Sequence, residues 1–153
     1  RLISLQQDDG DLSAKDVSWI ESLGPSLDAG PHAFLDTAAV MMSLDLIITC
    51  DTAVAHLAGA LGRPVWVALT FVPHFYWMMG RDDSPWYPTA RLFRQQTLGD
   101  WGPVIDSIAT AWENFGDDNA DNHNFHQATR KQTSLRAAIS PAPLQAGTAF
   151  TFY

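Results

Sequence analysis

The sequence predicts an α/β fold, a Rossmann-like parallel sheet with helices on both faces. Three observations carry this. The first is Leu46-Ile-Ile-Thr49, a nearly continuous apolar run, as expected of a strand buried on both faces of a parallel sheet. The second is the immediate return through a small-residue helix, closed by Gly62 and Pro64, into Val65-Trp-Val-Ala-Leu69, which completes a βαβ unit. The third is an upstream helical pattern from Asp36 to Leu44 that feeds the Leu46 run and extends the order to αβαβ.

Taken in order, Leu2 to Gln6 reads as a strand that ends at a polar turn, with Gln6 and Gln7 at its carboxyl end. Ser13 to Leu23 reads as a modest helix with Ser13 as cap and Val17, Ile20 and Leu23 on one face, ended by Gly24-Pro25. Asp36 is the expected cap of the next helix, whose apolar face is Ala39, Val40 and Leu44. In the βαβ unit either Asp51 or Thr52 caps the helix. Its buried face is Leu57, Ala58, Ala60 and Leu61, and Gly62 takes the left-handed position after it.

After Leu69 the chain turns aromatic, with Phe71, Phe75, Tyr76, Trp77, Trp86 and Tyr87 among Pro73, Pro85 and Pro88. Such density serves either as a lid on the core or as a platform for a base or sugar ring. Arg91 to Arg94 reads as a last short strand. Asp100 or Trp101 opens an amphipathic helix through Val104, Ile105, Ile108, Ala109 and Trp112. Residues 1–115 therefore form the expected folded domain, and the Asp/Asn/Gln/Ala/Thr-rich remainder, 116–153, reads as a disordered polar tail.

A βαβ unit leaves unpaired amide N–H groups and the positive end of a helix dipole at the carboxyl edge of its sheet, where open α/β folds bind ligands. Phosphate suits that edge. Thr52 adds a hydroxyl, and Ala53, Val54 and Ala55 keep the approach free of charged side chains. His56, one turn on, is either a further contact to a diphosphate or ribose oxygen or a packing residue of an apolar helix. If the strands run parallel, Gln6 shares the edge with Thr52.

Spacing and composition exclude several classes. Asp51 and His56 do not share a helix face as an i,i+4 metal pair does, and neither GxxxxGK[ST], GxGxxG nor GxSxG occurs. His123 and His126 lie in a stretch without helical period. The 153 residues carry a formal charge of −8, with six Lys/Arg against fourteen Asp/Glu in 1–115 and three of each beyond. No basic patch is visible, so nucleic acid is not an expected partner. Cys50 is the one cysteine, which rules out an intrachain disulfide and fits a reduced, cytoplasmic setting. No membrane span and no signal peptide are predicted. The chain starts without methionine inside a strand-like run, as a fragment of something longer would.

The segment Asp36 to Trp112 resembles the C-terminal half of a bacterial glycosyltransferase of the heptosyltransferase-like class, glycosyltransferase family 9, in the form fused to tetratricopeptide repeats. The resemblance is carried by Leu44-Asp-Leu-Ile-Ile48, Asp51-Thr-Ala-Val-Ala-His-Leu-Ala-Gly-Ala-Leu-Gly-Arg-Pro-Val-Trp66, Asp83-Ser-Pro-Trp-Tyr-Pro88 and Arg91-Leu-Phe-Arg-Gln95, with Ser4-Leu-Gln6 upstream. It implies a partial C-terminal domain of a GT-B fold that binds a nucleoside-diphosphate sugar. The amides of Thr52, Ala53 and Val54 would hold the donor diphosphate, with Asp51 at the turn and His56 and Gln6 as further contacts. It also implies no metal and no cofactor, and a partner in the N-terminal GT-B half or a repeat region that holds the acceptor and the general base. Where the family carries an Asp-Trp-Arg-Trp-like run, this chain has His74-Phe-Tyr-Trp77, without the acid and the arginine.

The expected function is thus the donor-binding part of an inverting, metal-independent glycosyltransferase, inactive on its own. The rival readings are a non-catalytic nucleotide-sugar-binding or interaction module, and a truncated relic.

Overall fold

The computed structural model of the chain describes residues 1–6, 20–32 and 34–118, the last three by backbone only. Three parallel strands form its centre: β3 (Ile47–Cys50), β4 (Val65–Leu69) and β5 (Ala90–Arg94), in spatial order β3-β4-β5. Ile47 stands opposite Val65, and Val65 opposite Ala90. A second, two-stranded parallel sheet pairs β1 (Leu2–Ser4) with β2 (Ile20–Ser22), Leu2 opposite Ile20. The helices are α1 (Leu35–Met41), α2 (Ala53–Ala60) and α3 (Gly102–Asp118), and a 3₁₀ turn spans Phe75–Trp77.

Alternation along the strands divides the core into two layers. On one face Ile47, Val65, Val67, Leu69, Ala90 and Leu92 pack with Met41 of α1 and with Val54, Ala55 and Ala58 of α2. On the other, Trp66 and Phe93 pack with Val104, Ile108 and Ala111 of α3. Helices therefore cover both faces of a parallel sheet, as the fold class requires.

The βαβ unit follows its local signals closely. Gly62 adopts φ 65°, Arg63 N–H donates to the Ala58 carbonyl (3.0 Å) and Gly62 N–H to that of Gly59 (3.1 Å). This pair of bonds closes the last carbonyls of α2 and needs a residue free of a Cβ penalty at position 62. The Arg63 guanidinium then reaches the Leu44 carbonyl and ties the end of α2 to the connection entering β3.

Four expectations are corrected. Ile20–Ser22, placed in a helix by the spacing of Val17, Ile20 and Leu23, is a strand; residues 13–19 lie outside the described residues. A short apolar spacing fits either period, and pairing with Leu2–Ser4 decides it. Asp36 does not cap α1 but lies in its first turn. The Asp28 carboxylate does the capping, accepting from Asp36 N–H (2.9 Å), Thr37 N–H (3.4 Å) and the Thr37 hydroxyl (2.5 Å), while Asp28 N–H donates to Asp36 (3.1 Å). The buried positions of α1 are Thr37 and Met41, and Ala39 is exposed, because the helix ends before Leu44, which packs on the core from the following turn. In α2, Val54, Ala55, Ala58 and Gly59 are buried and Ala60 faces outward.

The helix expected from Asp100 or Trp101 starts at Gly102 and runs past residue 115 to Asp118; residues 119–153, the expected tail, lie outside the described residues. No helix among the described residues is long and apolar enough to cross a membrane.

Candidate functional site

The site starts where β3 hands over to α2. Cys50 ends the strand, and Thr52 is extended (φ −138°, ψ 174°) before the first helical residue, Ala53. Thr52 N–H donates to the Cys50 carbonyl (2.8 Å), which tightens the turn, and Ala55 N–H is taken by the Thr52 carbonyl (3.1 Å). The amides of Ala53 and Val54 come before any intrahelical acceptor can reach them. The Thr52 hydroxyl makes no cap bond and lies 3.4 Å from the Thr49 hydroxyl. Two amides, a hydroxyl and the positive end of α2 thus meet at the carboxyl edge of the sheet, a combination that attracts an anion. The Thr52 amide, expected to share this role, is engaged within the turn.

Beside this turn a cleft of about 710 Å³ separates β1 from β3. Leu2 to Gln6 form one wall and Leu46 to Cys50 the other, with Val40 and Leu44 on the α1 side and Trp101, Val104 and Ile108 on the α3 side. The lining is mainly apolar, with Gln6 and Thr49 among its polar groups near the carboxyl ends of the strands. Val54 closes it near the start of α2. An apolar cleft with a few polar groups at a carboxyl edge has the make-up of a small-molecule site.

The opposite side of the turn is aromatic. The Asp51 carboxylate is engaged here: one oxygen, Oδ1, accepts from Trp77 Nε1 (2.7 Å) and the Tyr76 hydroxyl (3.0 Å), the other from His74 N–H (3.3 Å). Asp51 is therefore the anchor of the 3₁₀ turn, and Thr52 alone takes the cap position. Burial first, and then the bond to Asp51, push the Tyr76 phenol up to about 12. Trp77 is fully buried. The Arg94 guanidinium closes the turn from below, donating to the carbonyls of Met78 (2.7 Å) and Trp77 (3.4 Å), and its burial lowers its pKa.

The inner rings of the aromatic stretch thus act as a lid on the core, while Phe75 and Trp86 remain exposed.

His56 belongs to this aromatic side. Its ring stacks on Trp77 (5.2 Å between centroids, 16°) and meets Tyr76 and Tyr87 edge-on at 4.8 and 5.6 Å. Nδ1 lies 2.9 Å from the Tyr87 hydroxyl. Of the expected site residues, Gln6 and Val54 line the cleft, Thr52 and Ala53 form the turn beside it, and Asp51 and His56 face the aromatic turn. Among the described residues no three His, Cys, Asp or Glu side chains come together as metal ligands would.

Two contributors were not read from the sequence. Tyr87 was noted only for its ring, although Gly59 signalled it. A glycine inside a helix costs about 1 kcal/mol relative to alanine and marks a close approach; here a Cβ would stand 2.4 Å from Tyr87 Cγ. Gln95, buried just past β5, accepts from Phe71 N–H (3.1 Å) and Gly99 N–H (3.2 Å) and so joins two loops of the carboxyl edge. Gln95 ends one of the runs that carry the resemblance, but no local pattern announces this role.

Residues 18–70 match the family described as glycosyltransferase family 9 (heptosyltransferase). The match covers β2, α1 and the whole βαβ unit with the Thr52 turn. Over 80 residues the chain is 36% identical to Protein FlbA of Caulobacter vibrioides, an alignment that takes in 52% of this chain and 13% of that protein. The chain thus spans only a small part of the length of that relative. No solved structure matches.

Proposed function

We propose that this chain is the donor-binding portion of an inverting, metal-independent glycosyltransferase of the GT-B type, acting on a nucleoside-diphosphate sugar in the cytoplasm. The observation that carries the reading is the start of α2, where the Ala53 and Val54 amides and the Thr52 hydroxyl converge beside an apolar cleft, inside the segment that matches the family. On this reading the diphosphate sits at the helix start, His56 donates a further hydrogen bond, and Gln6 meets the donor from across the cleft. Charge building on the leaving diphosphate as the anomeric bond breaks is stabilised by donors already aimed at it. The acceptor and general base belong to an N-terminal half in a longer, repeat-containing bacterial protein.

A second reading, nucleotide-sugar binding without catalysis, is favoured by one observation. The 74–77 turn presents aromatic rings where an acid and an arginine are implied, and the neighbouring carboxylate, Asp51, is engaged by three donors.

Ala53→Pro tests the site itself. Proline is tolerated at the first helical position, and Thr52 already has the extended conformation that proline demands of its predecessor. The variant deletes one amide donor from an intact helix. Calorimetric titration with UDP, ADP, GDP and their sugar conjugates should give saturable binding to the parent chain and roughly tenfold weaker binding to the variant, the loss of one hydrogen bond to a charged group. Equal affinities, or no binding by a folded parent chain, would remove the helix start as the donor site.

A further inference from the structure

We propose that Tyr87 is a positioning residue for His56: its hydroxyl donates to Nδ1, fixes the proton on Nε2 and so presents Nε2–H as a hydrogen-bond donor to the diphosphate. The inference rests on the donor-site reading above and adds a residue and a tautomer to it.

The geometry on both sides of the bond supports it. Tyr87 is held at its backbone, its N–H 3.4 Å from the buried Ser84 hydroxyl and its carbonyl accepting from Ala90 N–H (2.9 Å). Its ring lies flat enough on α2 that only a residue without Cβ fits at position 59. A phenol anchored in this way has little freedom in where it points. His56 is equally constrained, with Trp77 stacked on one face and Tyr76 and Tyr87 at its edges.

A neutral imidazole has one donor and one acceptor nitrogen, and the partner of one nitrogen sets the role of the other. Tyr87 is the described partner of Nδ1, at 2.9 Å. When the phenol donates, Nε2 carries the proton. Helical side chains lean toward the helix N-terminus, which directs the His56 ring toward the residues three and four positions back, Ala53 and Thr52. Of the two neutral tautomers only the Nε2–H form complements an anion there; the other would turn a lone pair toward the phosphate oxygens.

The experiment uses the full chain, labelled with ¹⁵N. Long-range ¹H–¹⁵N correlation, with His56 assigned by its disappearance in His56→Ala, reads the tautomer without any ligand. The expected result is a single Nε2–H form in the parent chain and a mixture in Tyr87→Phe, which keeps the ring against Gly59. In parallel, whichever of UDP, ADP and GDP binds tightest should bind Tyr87→Phe about fivefold more weakly, the usual worth of one neutral hydrogen bond. Tyr87→Phe should add nothing in a His56→Ala background.

An Nδ1–H form in the parent chain, or a tautomer and affinity unchanged in Tyr87→Phe, overturns the proposal, as does an equal loss of affinity in the His56→Ala background. If His56 is locked as Nε2–H but none of the three diphosphates binds, the donor-site reading fails and the positioning role falls with it. If they bind while His56 exchanges tautomers, the positioning role alone fails.

Discussion

Replacing Gly59 by alanine separates the packing of Tyr87 from every other property of α2. By helix propensity alone the change stabilises, by about 1 kcal/mol for an interior position. The structure predicts the opposite sign. The new Cβ would lie 2.4 Å from Tyr87 Cγ, 2.6 Å from Cδ1 and 2.9 Å from Cβ, all far inside carbon–carbon contact. Rotation about χ1 cannot clear the last of these. The Tyr87 backbone would have to move against its bonds to Ser84 and Ala90.

Overpacking of this kind costs about 1–3 kcal/mol, and losing the His56–Tyr87 bond adds about 1 kcal/mol, so Gly59→Ala should destabilise by about 1–3 kcal/mol net. Urea unfolding, read from the midpoint at constant slope, measures it. The decisive comparison is the same substitution in a Tyr87→Gly background, which removes the Cβ as well as the ring. There the obstruction is gone, and alanine should stabilise by about 1 kcal/mol. A stabilising Gly59→Ala in the parent chain, or an identical effect in both backgrounds, would refute the account of why position 59 is glycine.

The Asp51 cluster predicts an alkaline effect. The folded pKa of Tyr76 is raised from 10.0 to about 12, so the stability linked to its proton is complete below pH 10 and lost as pH rises through about 12. Asp51→Asn, which keeps Oδ1 for Trp77 and Tyr76 but drops the charge, should move the phenolate transition down toward 10, seen by ultraviolet absorbance; an unmoved transition would exclude Asp51 as a cause. Asp28 predicts an acid effect: burial pushes its pKa up, but the Thr37 hydroxyl and the Asp36, Thr37 and Phe34 amides outweigh this and hold it below 3.8. Its contribution is therefore complete above that pH and fades as pH falls below it. Asp28→Ala should cost about 1 kcal/mol as a lost cap at neutral pH and flatten that acid limb of the urea-unfolding profile. Arg94→Ala removes the donor to the Trp77 and Met78 carbonyls at the end of the 3₁₀ turn and should speed protease cleavage between residues 74 and 80 while leaving the unfolding slope unchanged.

What could be read from the sequence was what is local. The β3 and β4 runs, the Gly62 closure and the Pro64 stop each depend on residues within one turn of one another, and the structure follows them. Two of the expectations that failed depend on partners farther along the chain. Ile20–Ser22 is a strand because Leu2–Ser4 pairs with it, and α1 is capped by Asp28 because a loop brings that carboxylate back across 8 residues. At the site the same division holds. Thr52 and the Ala53 and Val54 amides were legible as a helix start, whereas the Asp51 bonds reach 23 to 26 residues ahead and the His56 bond 31. Aromatic density marked the segment that supplies those partners without revealing which ring would meet which group. Gly59 held the missing information, because a glycine in an otherwise good helix asks what is pressed against it.

On the donor-site reading, the hydrogen bonds of Asp51 bear on how an acidic chain offers an anion site. Residues 1–115 carry fourteen acids against six bases, so the long-range field repels a diphosphate and does nothing to steer it. Attraction has to come at short range, from amides and hydroxyls that add no competing counter-ion. A bare carboxylate at position 51 would undo this, since it sits at the turn that begins α2. Three donors from the 74–77 turn take up its oxygens, and none of residues 74–77 lines the cleft with Gln6, Thr49 and Val54. On that reading, the aromatic turn that covers the core also occupies the carboxylate next to the start of α2. Binding built on such contacts should depend weakly on salt, unlike binding through a basic patch.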